Sequence, residues 1–208
     1  MIRFAVDSTD PDAPTIAAAV DVLRRGGIVA YPTDTLYGLA VDPRSDAAVD
    51  RVFAVKERER SAAVALIAAD VRQAQDAGTF GASELALARA FWPGPLTIVV
   101  PAASDLSKRL SGDFTTVGVR VPAHAVARAL AEAFGTCITA TSANVSGAPP
   151  AMTADEVAAA LDGRIDAVLD AGPVPGGPPS TIVEFADGRP VLRRSGAIAW
   201  DRVLESLQ

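Results

Sequence analysis

The 208-residue chain is 50% hydrophobic and 21% charged, which is the range of a soluble globular protein long enough to bury a substantial core. Its formal net charge of −6 argues against binding nucleic acid through a broadly basic surface, and leaves at most a local basic groove. One cysteine, Cys137, excludes an internal disulfide framework, and a single histidine, His124, makes a Cys/His zinc site implausible. The opening "MIRFAVDSTD" lacks the basic-then-apolar layout of a signal peptide and no apolar run approaches membrane-spanning length, so a reduced, cytoplasmic protein with no membrane partner is expected.

In chain order, residues 15–25 place Ile16, Val20 and Leu23 at helical spacing, with Gly26-Gly27 as the stop. Residues 27–31 read as a buried strand that ends at Pro32 and opens into "PTDTLYGLA". Residues 46–58 put Val49, Val52 and Phe53 on one helical face, and 64–68 form a short strand. A helix is expected over 82–92, with Ser83 as N-cap and Pro93 as its end. Strands follow at 96–100 and 116–121. A helix over 122–135 is expected to start with Pro122 at its first position and stop at Gly135. After a strand at 137–141, the segment 153–161 reads as a helix opened by a capping box from Thr153 to Glu156. Strands at 166–172, 180–185 and 190–194 and a helix within 197–208 complete the chain. Such alternation predicts an α/β fold: a single domain over 1–208, built on one twisted, mostly mixed sheet flanked by helices.

No phosphate-binding P-loop, dinucleotide fingerprint or nucleophile elbow is present, and one histidine with one cysteine leaves little room for a Ser-His or Cys-His nucleophile. His124 reads as a surface or cap residue and Cys137 as core. What stands out is a set of hydroxyl and cationic clusters at strand ends. Lys56 and Arg58 in "KERER" are two apart, so an extended segment would send both to one side, where they could grip a polyphosphate or a carboxylate; the spacing alone reads more readily as a solvated charged turn. Arg120 sits among valines in "VGVRVP" and needs a carboxylate, supplied either by the protein or by a substrate. "TATSANVSGAPP" leaves a strand with Thr139, Thr141, Ser142, Asn144 and Ser146, and "GGPPSTI" and "LRRSG" repeat the theme with Ser180 and Arg194. Without a thiol or imidazole nucleophile, these groups suit a reaction run by positioning and charge neutralisation, such as nucleotidyl transfer.

The ordered motifs "YPTDTLYGLAVDP", Lys-x-Arg in "KER", "WPGPLTIVV", "VGVRVP", "TSANVSG", "PSTIVEF" and "LRRSGAI" resemble those of the YrdC-like family over about residues 15–199, in the manner of its stand-alone threonylcarbamoyl-AMP synthases. The resemblance implies an open α/β fold with a concave, ligand-holding face. It also implies an enzyme that makes L-threonylcarbamoyl-AMP and pyrophosphate from L-threonine, bicarbonate or CO2, and ATP, for N6-threonylcarbamoyladenosine in tRNA. The product would pass to the tRNA threonylcarbamoyl-transfer machinery, with weak tRNA contact at most. Carried over residue by residue, it places Lys56 and Arg58 on the ATP phosphates as the catalytic pair. Thr116, Thr141, Ser142, Asn144 and Arg194 fall on the nucleotide side. Arg120 falls on the threonine carboxylate, and Thr33, Thr35, Thr139 and Ser180 around threonine and its carbamate. Mg2+ would arrive mainly on the ATP phosphates.

The stretch "KERERSAAVALIAAD" lacks the proline and the histidine that many relatives carry after Lys-x-Arg, which leaves threonine recognition around 59–67, and any role of Arg60, open. The length fits the single-domain form of the family. Competing readings are a non-catalytic double-stranded RNA-binding protein of the same fold, a carbamoyl-transferring relative, and a paralogous branch with a different opening motif. The acidic charge weighs against the first, the absence of zinc-finger and acylphosphatase modules against the second, and "TLYGLA" against the third.

Overall fold

Strand-forming runs separated by short helices assemble one ten-stranded sheet in the computed structural model, which describes residues 1–59, 63–110 and 115–208. The strands are β1 (Ile2–Ala5), β2 (Val29–Pro32), β3 (Tyr37–Ala40), β4 (Ala65–Ile67), β5 (Leu96–Pro101), β6 (Thr116–Arg120), β7 (Ile138–Ser142), β8 (Ala167–Asp170), β9 (Thr181–Ala186) and β10 (Arg189–Arg194). Their spatial order is β1-β8-β2-β3-β7-β4-β6-β5-β9-β10. The sheet is mixed and unclosed: β1/β8, β2/β8, β4/β6 and β5/β9 are parallel, and the remaining neighbours are antiparallel.

The helices are α1 (Ala13–Arg24), α2 (Asp46–Lys56), α3 (Val71–Asp76), α4 (Ala82–Phe91), α5 (Ala125–Phe134), α6 (Ala154–Leu161) and α7 (Trp200–Glu205). Asp12 caps α1 by accepting from Thr15 N at 2.9 Å, satisfying one of the orphan amides of the first turn. The stripe Ile16, Ala19, Val20 and Leu23 then packs with Val126, Ala127, Leu130 and Ala131 of α5 on one side of the sheet. Ser45 caps α2 at Ala48 N, and Val49, Val52 and Phe53 pack on the other side. None of the helices among the described residues is long and apolar enough to cross a membrane.

Three details differ from the sequence reading. Helix α4 is capped by Gly81, with no side-chain cap bond, and Ser83 lies inside the first turn; a Cβ at Gly81 would lie 2.8 Å from the Glu84 carboxylate, which folds back over it. Helix α5 begins at Ala125, three residues after Pro122, because Pro122 still belongs to the lead-out of β6, where its carbonyl accepts from Arg128 Nη1 at 3.0 Å. Ahead of α6, Thr153 accepts from Glu156 N at 3.1 Å as expected, but the Glu156 carboxylate returns to Met152 N at 2.6 Å. Strands β1 and β3 and the short helix α3 were not legible in the sequence.

Period-two alternation decides what each side of the sheet carries. Along β4, β5, β6 and β9 it sends Leu66, Ile98, Val119 and Val183 into the core beneath α2 and α4. The opposite side of the same strands presents Ala65, Ile67, Thr97, Arg120 and Ile182 to a cavity. Helices α1 and α5 cover that opposite side over β8, β2 and β4, and beyond them it is small and polar. Residues 171–180 must carry the chain from β8, second in the sheet order, to β9, ninth, and they do so along the cavity rim. Tyr37 Oη donates to Gly172 O at 2.8 Å, Val174 N donates to Met152 O at 2.9 Å, and Gly177 and Pro179 line the cavity. Gly176 and Gly177 have φ of 71° and 103°, which only glycine adopts without strain.

Candidate functional site: an arginine-lined cavity at the strand ends

The cavity measures about 420 Å³ and draws its walls from seven separated stretches of the chain. The first wall is the hairpin between β2 and β3. Thr33 N and Oγ1 both donate to Leu36 O, at 3.2 and 2.6 Å, and Thr33 Oγ1 accepts from the amides of Thr35 and Leu36 at 3.2 Å. Its hydroxyl therefore closes the turn. The two threonine hydroxyls lie 3.1 Å apart. Because the Thr33 proton is committed to Leu36, Thr35 is the donor between them, and Thr35 Oγ1 accepts at long range from Arg120 Nη1 and has a second lone pair for the cavity. Thr33 builds the wall and Thr35 faces inward.

Arg120, at the end of β6, is 8% exposed. Its Nε donates to Gly94 O at 3.0 Å and its Nη2 to the Asp34 carboxylate, while Nη1 lies 3.4 Å from Thr35 Oγ1. Burial lowers its affinity for the proton and Asp34 restores part of it. Of the two partners the sequence allowed for Arg120, the structure supplies the protein carboxylate, and leaves Nη1 the least engaged group.

Lys56 and Arg58 do not project together from an extended segment. Lys56 is the last residue of α2, Glu57 takes a left-handed cap with φ of 50°, and Arg58 leaves in a new direction. Lys56 is 2% exposed and does not line the cavity. Its Nζ donates to Ser142 O at 2.5 Å and to Asn144 O and Oδ1 at 2.9 and 3.1 Å, beneath the turn that follows β7. Burial first and Arg58 second push its ammonium down to about 8. Arg58 does line the cavity, with Nη1 on Thr141 Oγ1 at 3.1 Å and Nη2 on Ala63 O at 2.9 Å. The pair converges all the same, since both residues hold the 141–144 segment. Ser142 Oγ donates to Asn144 Oδ1 at 2.5 Å, and both residues line the cavity beside Thr141.

Arg194 enters from β10. Its Nε and Nη2 donate to Ser180 O at 3.1 and 2.8 Å, and Nη2 also reaches Ser180 Oγ at 3.0 Å. Ser180 Oγ lies 2.8 Å from Thr97 Oγ1, a hydroxyl in the otherwise apolar strand β5. Gly118, which pairs with Val99 and lies diagonal to Thr97, makes room for it: a Cβ there would lie 2.9 Å from Thr97 Cγ2. Burial lowers the proton affinity of Arg194, and the charges of Arg120 and Arg58 lower it further. In a chain of net charge −6, three guanidinium groups thus face one small volume.

Besides Lys56, two more expected site residues stay outside the cavity. Thr139 is 1% exposed, accepts from Val41 N at 2.9 Å and donates to Leu39 O at 3.0 Å, so its hydroxyl is consumed in stitching β7 to β3. Thr116 starts β6, four residues and about 13 Å of strand from Arg120, and does not line the cavity. Arg60 lies outside the described residues. Asp34 and Thr97 went unassigned by sequence reading. The signal for Asp34 was Arg120's need for a carboxylate; for Thr97 it was a single hydroxyl in "LTIVV".

The remaining titratable candidates do not join the site. His124 is the N-cap residue of α5, its Nδ1 is buried with no partner among the described residues, and burial lowers its proton affinity. The Cys137 thiol is buried and pushed up to about 12. Among the described residues no three His, Cys, Asp or Glu gather to hold a metal ion. Asn144 O and Oδ1 and Ser142 O already accept from Lys56, which leaves the Ser142 hydroxyl oxygen as the neutral ligand suited to a cation carried in on a phosphate.

The family of Sua5, YciO and YrdC proteins, described as telomere recombination, matches residues 21–196. Threonylcarbamoyl-AMP synthase of Bacillus subtilis (strain 168) is 38% identical over 206 residues, 97% of this chain. This chain spans 60% of that protein's length. The structure superposes on P. abyssi Sua5 complexed with L-threonine with a TM-score of 0.93 at 33% identity, over 99% of this chain and 61% of that one. It also superposes on E. coli YciO with a TM-score of 0.88 at 25% identity, over 98% of this chain and the whole of the other. With its motifs in order, its fold matched end to end and its cavity built from those motifs, the chain belongs to the Sua5/YciO/YrdC family.

Proposed function

We propose that the chain is a nucleotidyltransferase that forms L-threonylcarbamoyl-AMP. The observation that carries this reading is the convergence of Arg58, Arg120 and Arg194, from three separate segments, on one hydroxyl-lined cavity. Such a site is charged for two or more anions and holds no thiol or imidazole nucleophile. The 38% identity to a threonylcarbamoyl-AMP synthase supports the particular substrates.

In the proposed reaction the neutral threonine amine adds to CO2, derived from bicarbonate, and loses a proton to give a carbamate. A carbamate oxygen attacks the α-phosphorus of ATP, the bond to the β-phosphate oxygen breaks, and pyrophosphate leaves. The chemistry brings a carboxylate, a carbamate and a triphosphate together, so fixed cations aimed into a restricted volume are what the protein must supply. Arg120 Nη1 and Thr35 would receive the amino acid, Ser180 with Arg194 the carbamate and nucleotide, and Arg58 the phosphates. Lys56 acts from below by holding Ser142 and Asn144 in place. Mg2+ bound with the nucleotide would neutralise phosphate charge. A cytoplasmic setting, hand-over of the product to the tRNA-modifying machinery and at most weak tRNA contact complete the reading. Cations set inside a cavity of about 420 Å³ suit small anions better than an RNA duplex.

The test is pyrophosphate release by purified protein with ATP, bicarbonate and Mg2+. Release that depends on L-threonine is expected. Turnover without threonine, or none with it, overturns the reading.

A further inference from the structure

We infer that Asp34 is a positioning residue that sets which face of the Arg120 guanidinium meets the amino-acid carboxylate. This rests on the proposed synthase reading and deepens it at one residue. Asp34 itself is absent from the cavity wall, whereas Thr33, Thr35 and Arg120 around it all line it. It stands behind the arginine, with its side chain 16% exposed.

A guanidinium has two edges that can take a planar oxyanion: one formed by Nε and a terminal nitrogen, the other by the two terminal nitrogens. In Arg120 Nε is spent on Gly94 O at 3.0 Å and Nη2 on Asp34, which leaves Nη1, with one long bond of 3.4 Å to Thr35 Oγ1 and a second N–H, as the least engaged donor toward the cavity. The anchoring is needed because the surroundings oppose it. The charge of Arg120 is felt at Arg194, so the cavity already repels a third cation, and the site is desolvated. Without a negative group behind it, Arg120 would be pulled only by Gly94 O and pushed by its neighbours. Asp34 both neutralises the guanidinium and fixes its plane, and the turn closed by Thr33 fixes Asp34 in turn. Other charged groups near this carboxylate are His124, whose buried imidazole feels it, and Arg128, which His124 also feels. His124 is held toward its neutral form by burial, so among the described residues Arg120 is the cation in direct contact with Asp34.

The placement predicts an effect on one substrate. Asp34→Asn keeps shape and hydrogen-bonding but removes the charge; Asp34→Glu keeps the charge on a longer arm. Threonine and ATP affinities are measured separately by calorimetry, together with steady-state KM and kcat and the thermal midpoint of each variant. Asp34→Asn is expected to raise the Kd and KM for threonine about tenfold or more while the ATP Kd stays within about twofold, and Asp34→Glu to recover part of the threonine affinity. If both substrates weaken together, or if threonine affinity tracks the thermal midpoint in both variants, the residue is only structural and the inference fails. Unchanged threonine affinity in Asp34→Asn overturns it as well. Wild-type protein run alongside separates this outcome from the wider reading: no threonine-dependent pyrophosphate release from wild type defeats the synthase assignment itself.

Discussion

Lys56 Nζ reaches both the carbonyl and the side-chain oxygen of Asn144, at 2.9 and 3.1 Å, and so ties the last turn of α2 to the turn that follows β7. The contact joins residues 88 positions apart and is closed to solvent. It makes Lys56, which the family resemblance places on the ATP phosphates, the support under two cavity residues, Ser142 and Asn144.

Removing that support leaves Asn144 O without its donor, at a cost of about 1–3 kcal/mol, and takes the charged donor from Ser142 O and Asn144 Oδ1, which keep Asn144 N and Ser142 Oγ. Lys56→Ala is therefore expected to lower the thermal midpoint by about 3–10 °C, from the usual conversion for a chain of this size. It should also reduce turnover at least about a hundredfold, because the Ser142–Asn144 turn loses its anchor. Calorimetric melting and pyrophosphate release measure the two effects; a turnover loss under threefold would reduce Lys56 to a bystander.

Arg58 should matter little for stability. Its charge disfavours the ammonium of Lys56 and the guanidinium of Arg194, so its removal relieves repulsion while forfeiting its bonds to Thr141 and Ala63. Arg58→Met is expected to keep its midpoint within about 3 °C of wild type while losing about a hundredfold in turnover. A collapse of stability would show that the residue is chiefly structural.

The lysine also predicts a pH dependence of stability. Its ammonium is pushed down to about 8 in the folded chain from the ordinary 10.5. Between those values the unfolded chain holds a proton that the folded chain has released, so this group makes unfolding free energy rise with pH across that window. Below about 8 the burial penalty is fully present and constant. Urea denaturation at pH 8 and pH 10 should show a larger gain for wild type than for Lys56→Met; equal gains would contradict a lowered lysine.

The two threonines of the hairpin separate by role. Thr33→Val breaks the turn closure and is expected to cost about 1–3 kcal/mol in urea unfolding, with threonine affinity falling as the wall loosens. Thr35→Val loses one hydroxyl in the cavity and should leave unfolding nearly unchanged while raising the threonine KM about tenfold. The reverse pattern would exchange their assignments.

Gly38 tests the cavity floor. A Cβ there would lie 3.1–3.3 Å from the Tyr31 ring, which is fully buried and held by its hydroxyl on Thr139 O at 3.0 Å, so the ring has little room to yield. Gly38→Ala is expected to destabilise by about 1–3 kcal/mol in urea unfolding. A neutral effect would mean that the ring moves aside.

Much of this protein could be read from its sequence. Apolar periodicity located α1 and α2, because each needs one face covered and that need recurs at fixed spacing, and the Pro122 and Gly135 signals located α5. The clusters at Arg58, Ser142, Asn144 and Arg194 were legible as polar groups at strand ends, and their order carried the family resemblance. Strands β1 and β3 were not legible: β1 is a mostly exposed edge strand, and β3 is a four-residue stretch holding a glycine, so neither shows an alternating pattern. Which hydroxyl serves the fold and which faces the ligand was decided only by tertiary structure. Thr139 and Thr141 lie two apart on β7, yet the first is spent on Val41 and Leu39 while the second meets Arg58 at the cavity. The same holds for Lys56 and Arg58, which one left-handed residue, Glu57, sends to different sides of a single turn. Residue type and spacing determine what a side chain can offer; which partners reach it first depends on strands brought together from distant parts of the chain, and no local pattern records that.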